Sequence, residues 1–452
     1  MKFQGFKKIV QMAMGALLLM ACQGLVIAQE KPNIVILFID DYGYMDIGYR
    51  NAIFQTPNLD QLKKEGMDFT RAYIPTPTCS PSRASLLTGK EAVRMQMVRH
   101  IPPNNGGEFS ILEKDPAQMP TRNWLPLKEV TYAETLKKYG YYNAFFGKWH
   151  LGEGEHYPQN QGFDEVYGAT DAGHPQSYYY PFFKDGQDPK GYFAPSMVNK
   201  GDYLTDVLTD NAVDFIDSYD KDQPFVLTFW YYSVHGPSIG RKDLLAKYQK
   251  QGLEGKYAHH AAMVEAMDES VGRVRQALED KGIADNTVVI LISDQGGAYS
   301  NAPFRGGKKG GDTLAEGGAR VPMIVYYPGV TQANSICETP VQSIDVYPTL
   351  VEIASGEKCK EKQINGKSLM PLLRLKKTKE RPLFFFRSYE DQYTSVIRGD
   401  WKLIKYRSGK FQLYNLENDT GETTNLVTTH PTIAKKLKKC LAKWEKEAVP
   451  TY

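Results

Sequence analysis

Four stretches of the chain are almost continuously apolar: 34–39, 142–146, 225–232 and 287–292. A strand with one face in water alternates polar and apolar residues. Runs without alternation therefore predict strands covered on both faces, as in a parallel sheet. Segments with helical spacing lie between them, among them 132–139 and 260–280. This alternation predicts an α/β fold: a large doubly wound, mostly parallel sheet flanked by helices. Past the apolar segments 322–325 and 345–350 the pattern loosens, and 375–381 (Leu-Lys-Lys-Thr-Lys-Glu-Arg) is a charged linker candidate. Beyond it, 383–387, 394–398, 401–406 and 411–414 have the pattern of short strands, and 431–446 that of a basic amphipathic helix. A small C-terminal antiparallel sheet-and-helix subdomain is expected at 376–452, after a main domain at 29–375.

Residues 1–28 have the pattern of an export signal, with Lys2, Lys7 and Lys8 ahead of an apolar run from Met12 to Ala28. Val26-Ile27-Ala28 offers a cleavage site before Gln29. Leu19-Met20-Ala21-Cys22 is also similar to a lipoprotein box, which would make Cys22 a lipid anchor. The apolar residues continuing past Cys22 favour simple cleavage and a periplasmic protein. The formal charge is 55 basic against 52 acidic residues, and losing the three leader lysines makes them equal. A neutral mature chain argues against bulk nucleic-acid binding, so any anion selectivity must be local. The 29 Tyr and 20 Phe are plentiful enough to supply sugar-facing loops as well as core. Besides Cys22 and Cys79 the cysteines are Cys337, Cys359 and Cys440. Cys337 and Cys359 are a candidate pair in an oxidising compartment, and no Cys-x-x-Cys or Cys/His zinc spacing occurs.

Every apolar run delivers reactive residues to its end, and in doubly wound sheets ligands bind beyond the carboxyl ends of the strands. Asp40, Asp41, Asp294 and Gln295 bring four oxygen-bearing side chains to two strand ends. Hard divalent cations want such ligands, and Ca²⁺ tolerates an irregular oxygen cage better than Mg²⁺. Lys148 and His150 stand in Gly-Lys-Trp-His-Leu-Gly, where alternate residues of an extended segment address one anion. His235 follows the third run, and Lys308 ends the glycine-rich Phe304-Arg305-Gly306-Gly307-Lys308. Elsewhere, Thr76-Pro77-Thr78 is a loop, and Cys79 to Thr88 is a helix with Pro81 in its first turn and Gly89 as its stop. The Cys79 thiol then sits at a helix N-terminus with Arg83 one turn in, a setting that favours anions and lowers a thiol pKa.

The string Cys79-Ser80-Pro81-Ser82-Arg83, continuing Ala84-Ser85-Leu86-Leu87-Thr88-Gly89, resembles the maturation and active-site signature of the type I sulfatases, within the alkaline phosphatase superfamily. Gly147–Gly152 matches a second signature of that family. Phe304–Lys308 with Glu316–Pro322, and Leu413–Asp419, are similar to further family stretches, so the resemblance covers nearly all of 31–450. It implies a hydrolase of sulfate esters. Cys79 would be oxidised to formylglycine by a sulfatase-maturating enzyme during export, and the hydrated aldehyde would attack sulfur. One Ca²⁺ would be held by Asp40, Asp41, Asp294, Gln295 and formylglycine 79. Gln295 departs from the Asn or His commoner there. Catalytic roles would fall to Cys79, Arg83, Lys148, His150, His235 and Lys308, with Lys148, His235 and Lys308 also binding sulfate. Loop length around Lys308 is altered by Lys309-Gly310-Gly311-Asp312.

The loop Asp171–Pro181 stands where the family has a pocket wall. Its Gly-His-Pro…Tyr pattern is similar to bacterial exported polysaccharide sulfatases that act on galactose-type or algal sugars. His174 is accordingly expected to bind a sulfated carbohydrate, with the neighbouring tyrosines offering flat faces to the ring. Two rivals stand beside this: a phosphodiester or phosphonate monoester hydrolase of the same superfamily, and an inactive sulfated-glycan-binding protein.

Overall fold

All four apolar runs are strands, and they lie side by side. In a computed structural model of the chain, which describes residues 31–103, 106–113, 115–183, 198–308 and 312–450, the main sheet has eight strands. They are β1 (Asn33–Ile39), β2 (Met67–Phe69), β3 (Tyr142–Gly147), β4 (Glu165–Tyr167), β5 (Phe225–Trp230), β6 (Thr287–Ser293), β7 (Met323–Tyr326) and β8 (Ser335–Cys337). Their spatial order is β8-β2-β7-β6-β1-β5-β3-β4. The central pairs β6–β1, β1–β5 and β5–β3 are parallel, whereas β7 runs antiparallel between β6 and β2. Every residue of β5 and β6 is buried, which is why neither alternates.

Helices cover both faces: α1 (Pro57–Glu65), α2 (Cys79–Thr88), α3 (Tyr132–Lys137), α4 (Leu204–Ser218), α5 (Gly255–Asp280) and α6 (Val346–Ser355). Successive side chains of β1 divide between two cores. Ile34, Ile36 and Phe38 pack with Leu86, Leu136 and Leu350, from α2, α3 and α6. Val35, Leu37 and Ile39 pack with Leu59, Leu208 and Val264, from α1, α4 and α5. The residues just past β1 and β6 thus emerge between the two helical layers, beside the start of α2.

The exposed stretch 374–380 leads into an antiparallel sheet of β9 (Leu383–Tyr389), β10 (Gln392–Arg398), β11 (Trp401–Tyr406) and β12 (Phe411–Asn415), followed by α7 (Pro431–Ala448). Leu437, Leu441 and Trp444 of α7 cover one face of this sheet. On the other, Phe385, Ile397 and Ile404 pack against Tyr73, Leu314 and Ala319. A buried ion cluster crosses the same seam: Lys402 Nζ lies 2.9 Å from Glu316 Oε1 and 3.0 Å from Glu422 Oε1. The Phe386 N–H donates to Pro75 O at 2.9 Å, tying β9 to the loop ahead of Cys79.

Cys337 and Cys359 are free thiols, as is Cys440, so the candidate disulfide is not formed. Cys337 is buried on strand β8, whereas Cys359 is half-buried in the segment after α6. The expected export signal and Cys22 lie outside the described residues. No described helix is long and apolar enough to cross a membrane.

Candidate active site

Cys79 is the first residue of α2, and the helix closes at Gly89, whose left-handed φ of 65° lets its N–H bond to Ser85 O. Three strand ends converge on it. Past β1, the Asp40 N–H donates to Ser233 O and the Asp294 N–H to Ile39 O, each at 3.0 Å, so the chain ends of β1, β5 and β6 are stitched together. Asp41 turns with φ of 60°, and its N–H donates to Asp294 Oδ1 at 3.0 Å. Carboxylate oxygens of Asp40, Asp41 and Asp294 all fall within 4.8 Å of one another.

Cations surround these acids. Lys148 pairs with Asp40 and Lys308 with Asp41. Arg83, wholly buried, lies 3.3 Å from Asp294 Oδ2 and 3.7 Å from Asp40 Oδ2, and donates to the Lys148 carbonyl at 2.9 Å. Burial favours the neutral form of Asp40, yet Lys148, His235, Arg83 and Lys308 together hold its carboxyl far below the usual range. Asp294 goes the other way, raised by burial and by the charges of Asp40 and Cys79. Crowding three acids until one resists ionisation is what a site for a divalent cation does in the cation's absence. The Gln295 amide nitrogen donates to Asp41 Oδ1 at 2.7 Å and to Cys79 Sγ at 3.3 Å. Turning that amide about its long arm would present its oxygen to the same place. The residues fit a hard cation such as Ca²⁺.

The Cys79 thiol is buried, with Sγ 3.8 Å from Asp40 Oδ1. Burial and Asp40 oppose its ionisation, but Lys148, Lys308 and a contact with His150 prevail and lower its pKa well below the free value. His150 was expected on an extended segment; instead it has a left-handed φ of 56°. The reason lies just before it. A Cβ on Gly147 would fall 1.9 Å from Trp230 O, so the chain presses against β5 and must turn sharply to bring both Lys148 and His150 to Cys79. Gly173 is similarly required, because a Cβ there would meet the His150 ring at 2.8 Å. His150 Nε2 lies 3.0 Å from Ile101 O, and a carbonyl only accepts, so Nε2 carries the hydrogen. Nδ1, buried and making no hydrogen bond of normal geometry, is left as the basic nitrogen. Burial depresses the pKa of this ring, keeping it neutral.

His235 donates from Nδ1 to Gly236 O at 2.6 Å and sets Nε2 3.7 Å from Asp41 Oδ2. The exposed His174 ring lies parallel to it, with centroids 5.5 Å apart and planes 6° apart. One expectation for this loop fails. Tyr178 offers no face to a sugar: it is wholly buried, and its one hydroxyl hydrogen is shared between the carbonyls of Tyr232 (2.6 Å) and His235 (2.8 Å), propping the histidine loop from behind.

Three basic residues that no motif marks also reach the site. Arg99 and His100 run directly into Ile101, the hydrogen-bond partner of His150, and Arg387 of β9 follows Phe386, which is tied to Pro75 ahead of Cys79. An arginine inside an otherwise apolar strand, Phe384-Phe385-Phe386-Arg387, was the available signal. A cavity of about 690 Å³ elsewhere on the molecule shares none of these residues. Its lining includes Asp202, Asp206, Asp210 and Asp214, which suits no anionic ligand.

Residues 32–356 match the family described as Sulfatase. The chain belongs to the sulfatase family. Residues 312–447 match a second family, described as N-sulphoglucosamine sulphohydrolase, C-terminal. A sulfatase of Formosa agariphila is 34% identical, over 89% of this chain and 86% of its own length. The human N-acetylgalactosamine-6-sulfatase is 32% identical, over 80% of this chain and 69% of its own. Among solved structures, Ps i-CgsB in complex with k-i-k-neocarrahexaose superposes with a TM-score of 0.79 at 28% identity, covering 93% of this chain and 94% of that one. This sulfatase is a hydrolase of sulfate esters. The structure brings Cys79, Arg83, Lys148, His150, His235 and Lys308 to one point with Asp40, Asp41, Asp294 and Gln295; His174 stands at its rim, against His235.

Proposed function

We propose that this sulfatase is exported to the periplasm and desulfates a carbohydrate, using formylglycine made from Cys79 by a maturating enzyme, and one Ca²⁺ held by Asp40, Asp41, Asp294 and Gln295. The observation that carries the reading is the setting of Cys79: a helix start flanked by Lys148 and Lys308, with a neutral His150 on one side and His235 on the other. When present, the aldehyde hydrate supplies the hydroxyl that attacks sulfur, and the cation supplies fixed positive charge to the sulfuryl oxygens.

The chain's own residues do the rest. Lys148 and Lys308 hold the sulfuryl group and offset the charge that grows on its oxygens; such preorganised charge is usually the largest catalytic contribution. Arg83 anchors the Lys148 backbone and two of the acids, fixing the cluster. His150 accepts a proton at Nδ1, since Nε2–H is committed to Ile101. His235, when protonated on both nitrogens, gives its Nε2 proton to the departing alcohol, Nδ1–H staying on Gly236 and Asp41 lying 3.7 Å from Nε2. His174, stacked on His235 at the rim, is the residue placed to touch the sugar. Export is supported by the leader pattern of Lys2, Lys7 and Lys8 ahead of Met12–Ala28. A sugar substrate is supported by the relative named for N-acetylgalactosamine 6-sulfate and by the solved structure that holds an oligosaccharide.

The test is a paired assay on sulfated mono- and disaccharides and on phosphodiesters. Release of sulfate from a saccharide, dependent on the position of the ester, is expected. Turnover of phosphodiesters alone would contradict it.

A further inference from the structure

The sulfuryl group is fully provided for by Lys148, Lys308, His150 and His235, yet two more cations lie buried close by with no ion pair among the described residues. Arg99 is 2% exposed and Arg387 is 8% exposed. Nε and Nη2 of Arg99, and Nε and Nη1 of Arg387, are buried donors without a hydrogen-bond partner among the described residues. The remaining polar contact of Arg99 is from Nη1 to its neighbour's carbonyl, His100 O, at 3.3 Å. Arg387 lies over the Tyr389 ring at 5.1 Å. Neither guanidinium pairs with a carboxylate of a described residue. Asp115 is the acid whose field both feel, but its Oδ1 is taken by the N–H groups of Ala117 and Glu390, each at 2.9 Å.

A buried cation without a counter-ion is costly, and guanidinium donors left unpaired in the interior add to the cost. Such an arrangement persists where an anion completes it. The pair belongs to the site by position. Arg99-His100 leads into Ile101, whose carbonyl fixes the His150 tautomer. Arg387 comes from the C-terminal sheet, pinned by its neighbour Phe386 to Pro75, four residues ahead of the nucleophile. An arginine fork suits a planar carboxylate or a sulfate oxygen pair equally.

We propose that Arg99 and Arg387 form a second anion subsite, which receives a further sulfate or a carboxylate on the same glycan as the ester being cleaved. This rests on the carbohydrate sulfatase reading and narrows it: the substrate carries at least two negative groups, and the C-terminal sheet takes part in selecting it. The subsite recognises the substrate without touching the reacting atoms.

The test is calorimetric binding to the Cys79→Ala protein, which holds substrates without turning them over. The probes are a monosulfated disaccharide, its disulfated counterpart, and a monosulfated counterpart bearing a uronate carboxylate. At least tenfold tighter binding of one doubly anionic probe is expected, and which one identifies the source of the second charge. In Arg387→Ala that preference should collapse toward unity, and Arg387→Lys should keep part of it; in the otherwise unaltered enzyme the same ratio should fall in kcat/KM, carried by KM. If Arg387→Ala does not fold, the Arg387→Lys variant and the preference of the Cys79→Ala protein itself still decide. Equal affinity for all three probes, or a preference that survives both substitutions, overturns the subsite. Absence of sulfate release by the intact enzyme, with the binding preference intact, would instead overturn the hydrolytic reading.

Discussion

At the scale of single residues, the site works by placing charge where water cannot screen it, and the same rule gives a prediction outside the chemistry. Asp171 accepts the Gly152 N–H at 2.8 Å from the loop that backs His150, and burial raises its pKa from 3.8 to about 7. A raised carboxyl binds its proton in the folded state while the unfolded chain has already lost it. The stability it contributes is therefore fully present below pH 3.8 and is lost as the pH rises through about 7. Asp171→Asn keeps an acceptor for Gly152 without the charge. Its Tm should exceed that of the unaltered protein by several degrees near pH 8.5, with the gap narrowing toward about pH 5. A gap independent of pH would show that Asp171 is not the titrating group. The motif residues were legible because chemistry restricts them: a thiol at a helix start, and acids at strand ends. Arg99 was not, and Arg387 was marked only by its place in an apolar strand, since the lack of a partner is a property of the packed molecule. The same holds for Tyr178, whose aromatic neighbours look identical whether they face a ligand or the core.

At the scale of elements, β1, β3, β5 and β6 were legible as buried parallel strands because both faces are covered and polar residues, such as Asn143 and Thr228, are too few to make an alternation. The antiparallel return of β7 was not, because an apolar run of four residues carries no direction. The turn at His150 was hidden for a related reason: the pressure of Gly147 on β5 is a contact between distant segments. What holds the C-terminal sheet in register with the site is partly apolar and partly the wholly buried Lys402, set between Glu316 and Glu422. Tyr73 adds a hydrogen bond to Glu316 at 2.9 Å, and Tyr73 lies in the segment leading to Cys79. Lys402→Met would leave two buried carboxylates facing each other, with only Arg320 at 3.4 Å from Glu316 and Arg305 at 3.7 Å from Glu422 to offset them, at a cost of up to about 3–5 kcal/mol. A large drop in Tm is expected. The double variant Lys402→Met/Glu422→Gln should recover part of the loss, because it removes one of the two stranded charges. No recovery would mean that Lys402 acts through packing alone.

At the scale of the whole molecule, the two cores position three strand ends so that acids and cations interleave, and a bound cation would shift the balance between them. Asp40, Asp41 and Asp294 crowd together, and Asp294 resists ionisation chiefly because it is buried and then because Asp40 lies beside it. Exhaustive chelation should therefore abolish sulfate release and lower the Tm, and Ca²⁺ should restore both, the Tm rising with ion concentration by mass action. Identical melting with and without the ion would refute the metal site.

The most direct test is made at position 79 itself. Mass analysis of the tryptic peptide spanning Cys79, taken from active enzyme, is predicted to show an aldehyde in place of the thiol, with sulfate release proportional to the converted fraction. Full activity from protein whose residue 79 is entirely unmodified cysteine would contradict it.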